Sequence, residues 1–227
     1  MRRLLYVPII HEEADMGSVG AVLARKTAAL SGERRWAIHK ETVAKFWQSV
    51  AAYVRSFDPC RMKVYQDGWV ADGNVGRRIV EEAAGRGSRN YQLILDLIDR
   101  GAEVRKTEDA VLLLRERENI LGLAQEQSPG KHRRNSLQAR GRKDRLTEER
   151  DRFIAHTINT TLQDGEIGLL LIGAHHDVAS RLPEDISVTA VKEPEQVMAY
   201  FEELLHGQDE KRLAALAENL TSPVILS

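Results

Sequence analysis

The sequence is short of several things, and each shortage removes a class of protein. Its 227 residues include one cysteine, Cys60, so no internal disulfide can form and an oxidising compartment is not implied. Cys60 follows Pro59 and reads as a small, half-buried residue rather than a nucleophile, because no helix N-terminus is placed to activate its thiol. No stretch approaches the ~20 apolar residues of a membrane span. The first apolar run covers about six residues before His11-Glu12-Glu13, too short for the core of a signal peptide, and the cytoplasm is the expected location. Charge of one sign is also lacking. With 33 basic and 34 acidic residues the net charge is −1, so no overall field draws the chain to nucleic acid or to an anionic membrane. Gly17, Gly20, Gly73 and Gly76 form no phosphate-binding fingerprint, and a bound nucleotide is not supported. Trp36, Trp47 and Trp69 read as core or rim packing rather than as a stacking platform.

What is present is ordinary globular composition, 42% apolar and 30% charged, in a length that suits one domain or one domain with an insertion. Short apolar runs alternate with helical periodicity along the chain. Strands are predicted over 4–10, 62–65, 102–106, 168–173 and 185–191, with a possible edge strand at 223–226. Helices are predicted over 17–30, 42–57 (ended by Pro59), 75–84, 91–100, 110–124, 147–162, 194–205 and 211–219. Thr107-Glu108-Asp109 reads as the cap of the helix at 110. That order favours an α/β fold with a largely parallel sheet flanked by helices. Residues 128–146 stand apart as a basic insertion, lid or mobile charged helix, with Lys131, Arg133, Arg134, Arg140, Arg142, Lys143 and Arg145.

Ligands of parallel sheets bind beyond the carboxyl ends of the strands. Three predicted strands end there in polar groups: His11-Glu12-Glu13-Ala14-Asp15, Gln66-Asp67 and His175-His176-Asp177. Imidazoles and carboxylates from separate strand ends are what a divalent metal or an acid–base pair requires. Two adjacent histidines after a buried strand are hard to explain as core filling. His11-Glu12-Glu13-Ala14-Asp15 lacks the second histidine of a zinc-protease motif, and a capping cluster explains it equally well. Asp67-Gly68 is also a common turn pair. His39 and His206 read as surface residues, and His156 as the flank of its helix.

These residues resemble the TraB and GumN-like superfamily, to which the Tiki proteases and, more distantly, the erythromycin esterase and ChaN-like proteins are related. Gly173-Ala174-His175-His176 is similar to the second Gly-x-x-His motif of that family. Pro8-Ile9-Ile10-His11 is similar to the first, with Pro for Gly. Asp67 stands where the family has Glu, and Arg150 within Glu149-Arg150-Asp151 matches the family Arg. The resemblance runs from Leu4 to about Val191. It implies two pseudo-twofold related halves with a site between the histidines and, in the Tiki branch, metal-dependent peptide hydrolysis.

The expected function is therefore hydrolysis of a peptide or ester bond. His11, Asp67, Arg150 and His176 are the expected catalytic residues. His11, Glu12, Asp67, His175 and His176 are the candidate ligands of a divalent metal such as zinc, manganese or cobalt. Arg150 would clamp a substrate carboxylate or stabilise an oxyanion. The alternative is a non-catalytic binding or regulatory protein whose basic segment contacts a phosphate-rich partner. Nucleic acid is disfavoured as that partner, because the segment lacks interleaved aromatics. The stripes at 42–57 and 211–219 leave a homo-oligomer open.

Overall fold

The computed structural model describes residues 1–10, 31–125 and 132–224. Its strands are β1 (Arg2–Ile9), β2 (Met62–Gln66), β3 (Glu103–Arg105), β4 (Ile167–Gly173) and β5 (Ile186–Ala190). They form one sheet in the order β3-β2-β4-β1-β5, with every pairing parallel. The described helices are α1 (Glu33–Val54), α2 (Gly73–Gly85), α3 (Arg89–Asp99), α4 (Ala110–Gln125), α5 (His132–Thr161), α6 (Pro194–His206) and α7 (Glu210–Thr221). The fold is α/β, as the alternation of patterns predicts.

The continuous apolar runs of β1 and β4 reflect burial on both faces, the usual condition of a central parallel strand. Their side chains still alternate. Leu5, Val7, Ile9, Leu169 and Leu171 point into a large core with Phe46, Trp47 and Val50 of α1, Leu93, Ile94 and Leu97 of α3, and Tyr200 and Leu204 of α6. Leu4, Tyr6, Leu170 and Ile172 point the other way, onto Ile154, Ala155 and Ile158 of α5. The second face is thus covered largely by one helix. Gly168 lets that helix close on the sheet, because a Cβ there would stand 2.6 Å from Leu4 Cδ1 and 3.3 Å from Leu162 and Tyr65 carbons. Gly168→Ala should cost about 1–3 kcal/mol through overpacking, seen as a lowered urea midpoint.

Several boundaries differ from the pattern. Helix α1 begins nine residues before 42, because the charged stretch Glu33-Arg34-Arg35-Trp36 belongs to it, and it ends at Val54, ahead of Pro59. That extension puts His39 four residues before Val43, on the buried stripe. His39 is therefore not a surface residue but 5% exposed. Its Nδ1 lies 3.2 Å from the Tyr200 hydroxyl, and its ring packs among Trp36, Tyr200 and Phe201. His206 and His156 are exposed. Cys60 is exposed too, since it sits in a 3-10 turn, Pro59–Arg61, at the amino edge of the sheet. Helix α5 begins at His132 and runs through Thr147 without a break. The predicted helix 17–30 lies outside the described residues, as do 126–131, which include the first four residues of the predicted insertion. Pro223 and Val224 carry no strand, and 225–227 lie outside the description.

Burial of His39 pushes its imidazole down from 6.5 to about 4. Between those values the unfolded chain holds the proton and the folded chain does not. Stability should therefore fall as pH drops through 6.5 and level off near pH 4, by up to about 3 kcal/mol. Urea unfolding of wild type and His39→Leu at both pH values checks this. The His39-dependent part of the pH sensitivity should vanish in the variant.

Candidate active site

The carboxyl ends of β2 and β4 carry a buried polar network. It starts where β2 runs out. The Asp67 amide continues the ladder onto Leu171 O at 2.8 Å, which leaves the Asp67 side chain at the sheet's carboxyl rim. Its Oδ2 accepts the Gly173 N–H at 3.2 Å, and its Oδ1 accepts from Arg150 Nη2 at 2.6 Å. Asp67 therefore ties the last residue of β4 to helix α5.

Arg150 is 2% exposed, and all three of its side-chain nitrogens bond to protein carboxylates. Nε donates to Glu108 Oε2 at 3.2 Å, and Nη1 donates to both oxygens of Glu116 at 2.9 and 2.8 Å. Nη2 donates to Glu108 Oε1 as well as to Asp67. Burial works against the charge on Arg150, but the three carboxylates outweigh it and push its pKa further up. Glu108 is wholly buried. Burial pushes its carboxyl up and the Asp67 charge adds to the rise, against the pull of Arg150. A substrate carboxylate would have to displace one of these partners to reach Arg150, so its geometry suits positioning Asp67 better than clamping a ligand.

The next residue of α5 serves the other motif. Asp151 Oδ1 lies 2.5 Å from His176 Nδ1, and its Oδ2 accepts the Asp177 N–H at 2.9 Å. The turn is closed by the His176 amide on Gly173 O at 3.1 Å, and the Tyr6 hydroxyl donates to His176 O at 3.3 Å. Burial, with Asp151, Asp177 and Asp67 nearby, pushes the Tyr6 phenol up. It stays a neutral donor. The exposed His175 ring sits 4.4 Å from that of His176. The first residue of Gly173-Ala174-His175-His176 has a steric reason to be glycine, because a Cβ would lie 3.0 Å from His175 Cε1 and 3.4 Å from His176 Cδ2. The remaining imidazole nitrogen, His176 Nε2, is buried and has no hydrogen-bond partner among the described residues.

The structure thus gathers Asp67, Arg150, His175 and His176 at one rim. Strand β1 ends beside them, with Ile9 opposite Gly173, so the strands bearing the two motifs are direct neighbours. His11 and Glu12 lie outside the described residues. No group of three potential metal-ligating side chains occurs among the described residues. Three site residues escape the sequence pattern. Glu108 hides in the cap Thr107-Glu108-Asp109, where Asp109 alone takes the helix N–H groups of Val111 and Leu112. Glu116 lies in a run of alternating charge that looks like a solvated face. Asp151 adjoins Arg150, and its partner His176 is 25 positions away.

Comparison of the chain with known protein families, with curated proteins and with solved structures finds no match. The likeness to the TraB and GumN-like proteins rests on the short motifs alone.

Proposed function

We propose that this rim is a hydrolytic site for a peptide or ester bond, with His176 as its general base. The observation that carries the reading is the His176–Asp151 pair. A carboxylate on Nδ1 fixes the tautomer with its proton there and leaves the lone pair on Nε2, and that nitrogen has no partner among the described residues. Water bonded to Nε2 would give up its proton as its oxygen attacks the carbonyl carbon. The same proton would pass to the leaving nitrogen or oxygen as the scissile bond breaks, which returns the imidazole to its starting form. Asp151 would stabilise the transient imidazolium. Asp67, held by Arg150 and the Gly173 amide, would orient the water or a substrate N–H.

The His176–Asp151 pair also suits a metal ligand, since a ligating imidazole commonly hands its other N–H to a carboxylate. Zinc, manganese or cobalt would take His176 Nε2, with His11, Glu12, Asp67 and His175 as the further candidate ligands. A bound divalent ion supplies acidified water at neutral pH.

A panel of peptides and activated esters, assayed with and without added Zn²⁺, Mn²⁺ or Co²⁺, tests the reading. Turnover of one class above a heat-treated control is expected. Inertness of the folded protein across the panel in all four conditions would contradict it.

A further inference from the structure

Away from the rim, one surface groove gathers several side-chain hydrogen-bond donors, some of them already paired and some not. It lies between α5 and the 3-10 turn Ala179–Arg181 and is lined by Arg152, Ala155, His156, Asn159, Ser180 and Arg181. Arg152, His156 and Asn159 are spaced at i, i+4 and i+7, so they share a helix face. Ala155 is buried and forms the floor. No carboxylate lines the groove among the described residues. Two carboxylates bond to lining residues from beside it, Glu148 to Arg152 and Asp177 to the Ser180 hydroxyl, and Asp185 is paired with Arg2. Asn159 Oδ1 accepts from Arg2, and its amide nitrogen makes no hydrogen bond among the described residues. The Arg181 guanidinium and the His156 ring make no hydrogen bond or ion pair among the described residues.

We propose that this groove binds a phosphoryl oxyanion, either free phosphate or the phosphate monoester of a small molecule. A tetrahedral dianion accepts several hydrogen bonds at once. The groove offers a forked guanidinium from Arg181, the spare N–H groups of Arg152, an imidazole N–H and a side-chain amide. The proposal is independent of the hydrolytic reading, since none of these side chains takes part in the His176 or Arg150 networks.

The test follows the His156 imidazole resonances of the full-length protein during titration with inorganic phosphate and, separately, with phenyl phosphate, against chloride at matched ionic strength. A saturable shift in either phosphate arm is expected. It should weaken about tenfold or more in Arg181→Ala, the loss of one charge-assisted contact. It should tighten in Glu148→Gln, which releases Arg152. Preference for the ester would mark an organic phosphate as the ligand, and equal binding would mark the free ion. Arg181 is exposed and Glu148 is half-buried in a surface ion pair, so the variants should fold. The proposal is overturned by a shift that does not saturate, by an equal response to chloride, by an Arg181→Ala variant identical to wild type, or by a response to single-stranded RNA alone.

Discussion

Arg150→Ala is expected to lower stability by about 3–5 kcal/mol, the range found when one partner of a buried ion pair is removed. Three carboxylates converge on this guanidinium, and Glu108 among them has no access to water. Without Arg150, Glu108 must take up a proton or remain as an uncompensated buried charge. Domains of this size are stable by roughly 5–15 kcal/mol, so the variant should unfold at a far lower urea concentration and gain stability as pH falls and Glu108 protonates. Arg150→Lys keeps the charge but not the fork, and should fall between the two. Arg150→Met combined with Glu108→Leu removes both charges and should recover much of the loss, because the penalty is one of unpaired charge rather than of lost volume. Urea midpoints for the set, with unchanged slopes, are the measurement. Equal stability of Arg150→Ala and wild type would mean that the network is not formed in solution.

The second large effect is expected on catalysis. On the substrate class found active, His176→Ala should lower kcat/KM by about a hundredfold to ten-thousandfold, the usual contribution of a positioned general base. Asp151→Asn should act almost as strongly for a different reason. An amide can donate to Nδ1, which moves the imidazole proton to Nε2 and removes the lone pair that the reaction needs. The fall should lie in kcat rather than KM, with the circular dichroism of both variants unchanged. Asp67→Asn can keep only one of its two contacts, since an amide has a single acceptor oxygen for the Gly173 N–H and Arg150, and should be milder. Full activity of His176→Ala would remove the histidine from the chemistry.

What the sequence discloses and what it hides divide along the range of the interactions. The strands are legible because burial on two faces leaves unbroken apolar runs such as Gly168-Leu169-Leu170-Leu171-Ile172. His175-His176 is legible as a site because imidazoles at a parallel-sheet end have few structural uses. The start of α5 is not legible, since Thr147-Glu148-Glu149 looks like a helix entrance yet lies inside a helix that begins at His132. His39 is misplaced for a related reason. Charged neighbours mask the stripe that it continues toward Val43 and Phe46. The Arg150 network joins residues 34, 42 and 83 positions apart, and no local pattern marks which of the chain's 34 acidic residues meet one guanidinium. Asp151 comes closest to being readable, as the neighbour of a residue singled out already, but its pairing with His176 emerges only when α5 is laid along the sheet.

The most direct measurement of the central claim needs no substrate. Nitrogen-15 NMR of the His176 imidazole at neutral pH reports which ring nitrogen carries the proton. The account predicts a proton on Nδ1, held by Asp151, and a bare Nε2, with that signature lost in Asp151→Asn. A proton on Nε2 and a bare Nδ1 would contradict it, because the atom assigned to take a proton from water would already hold one.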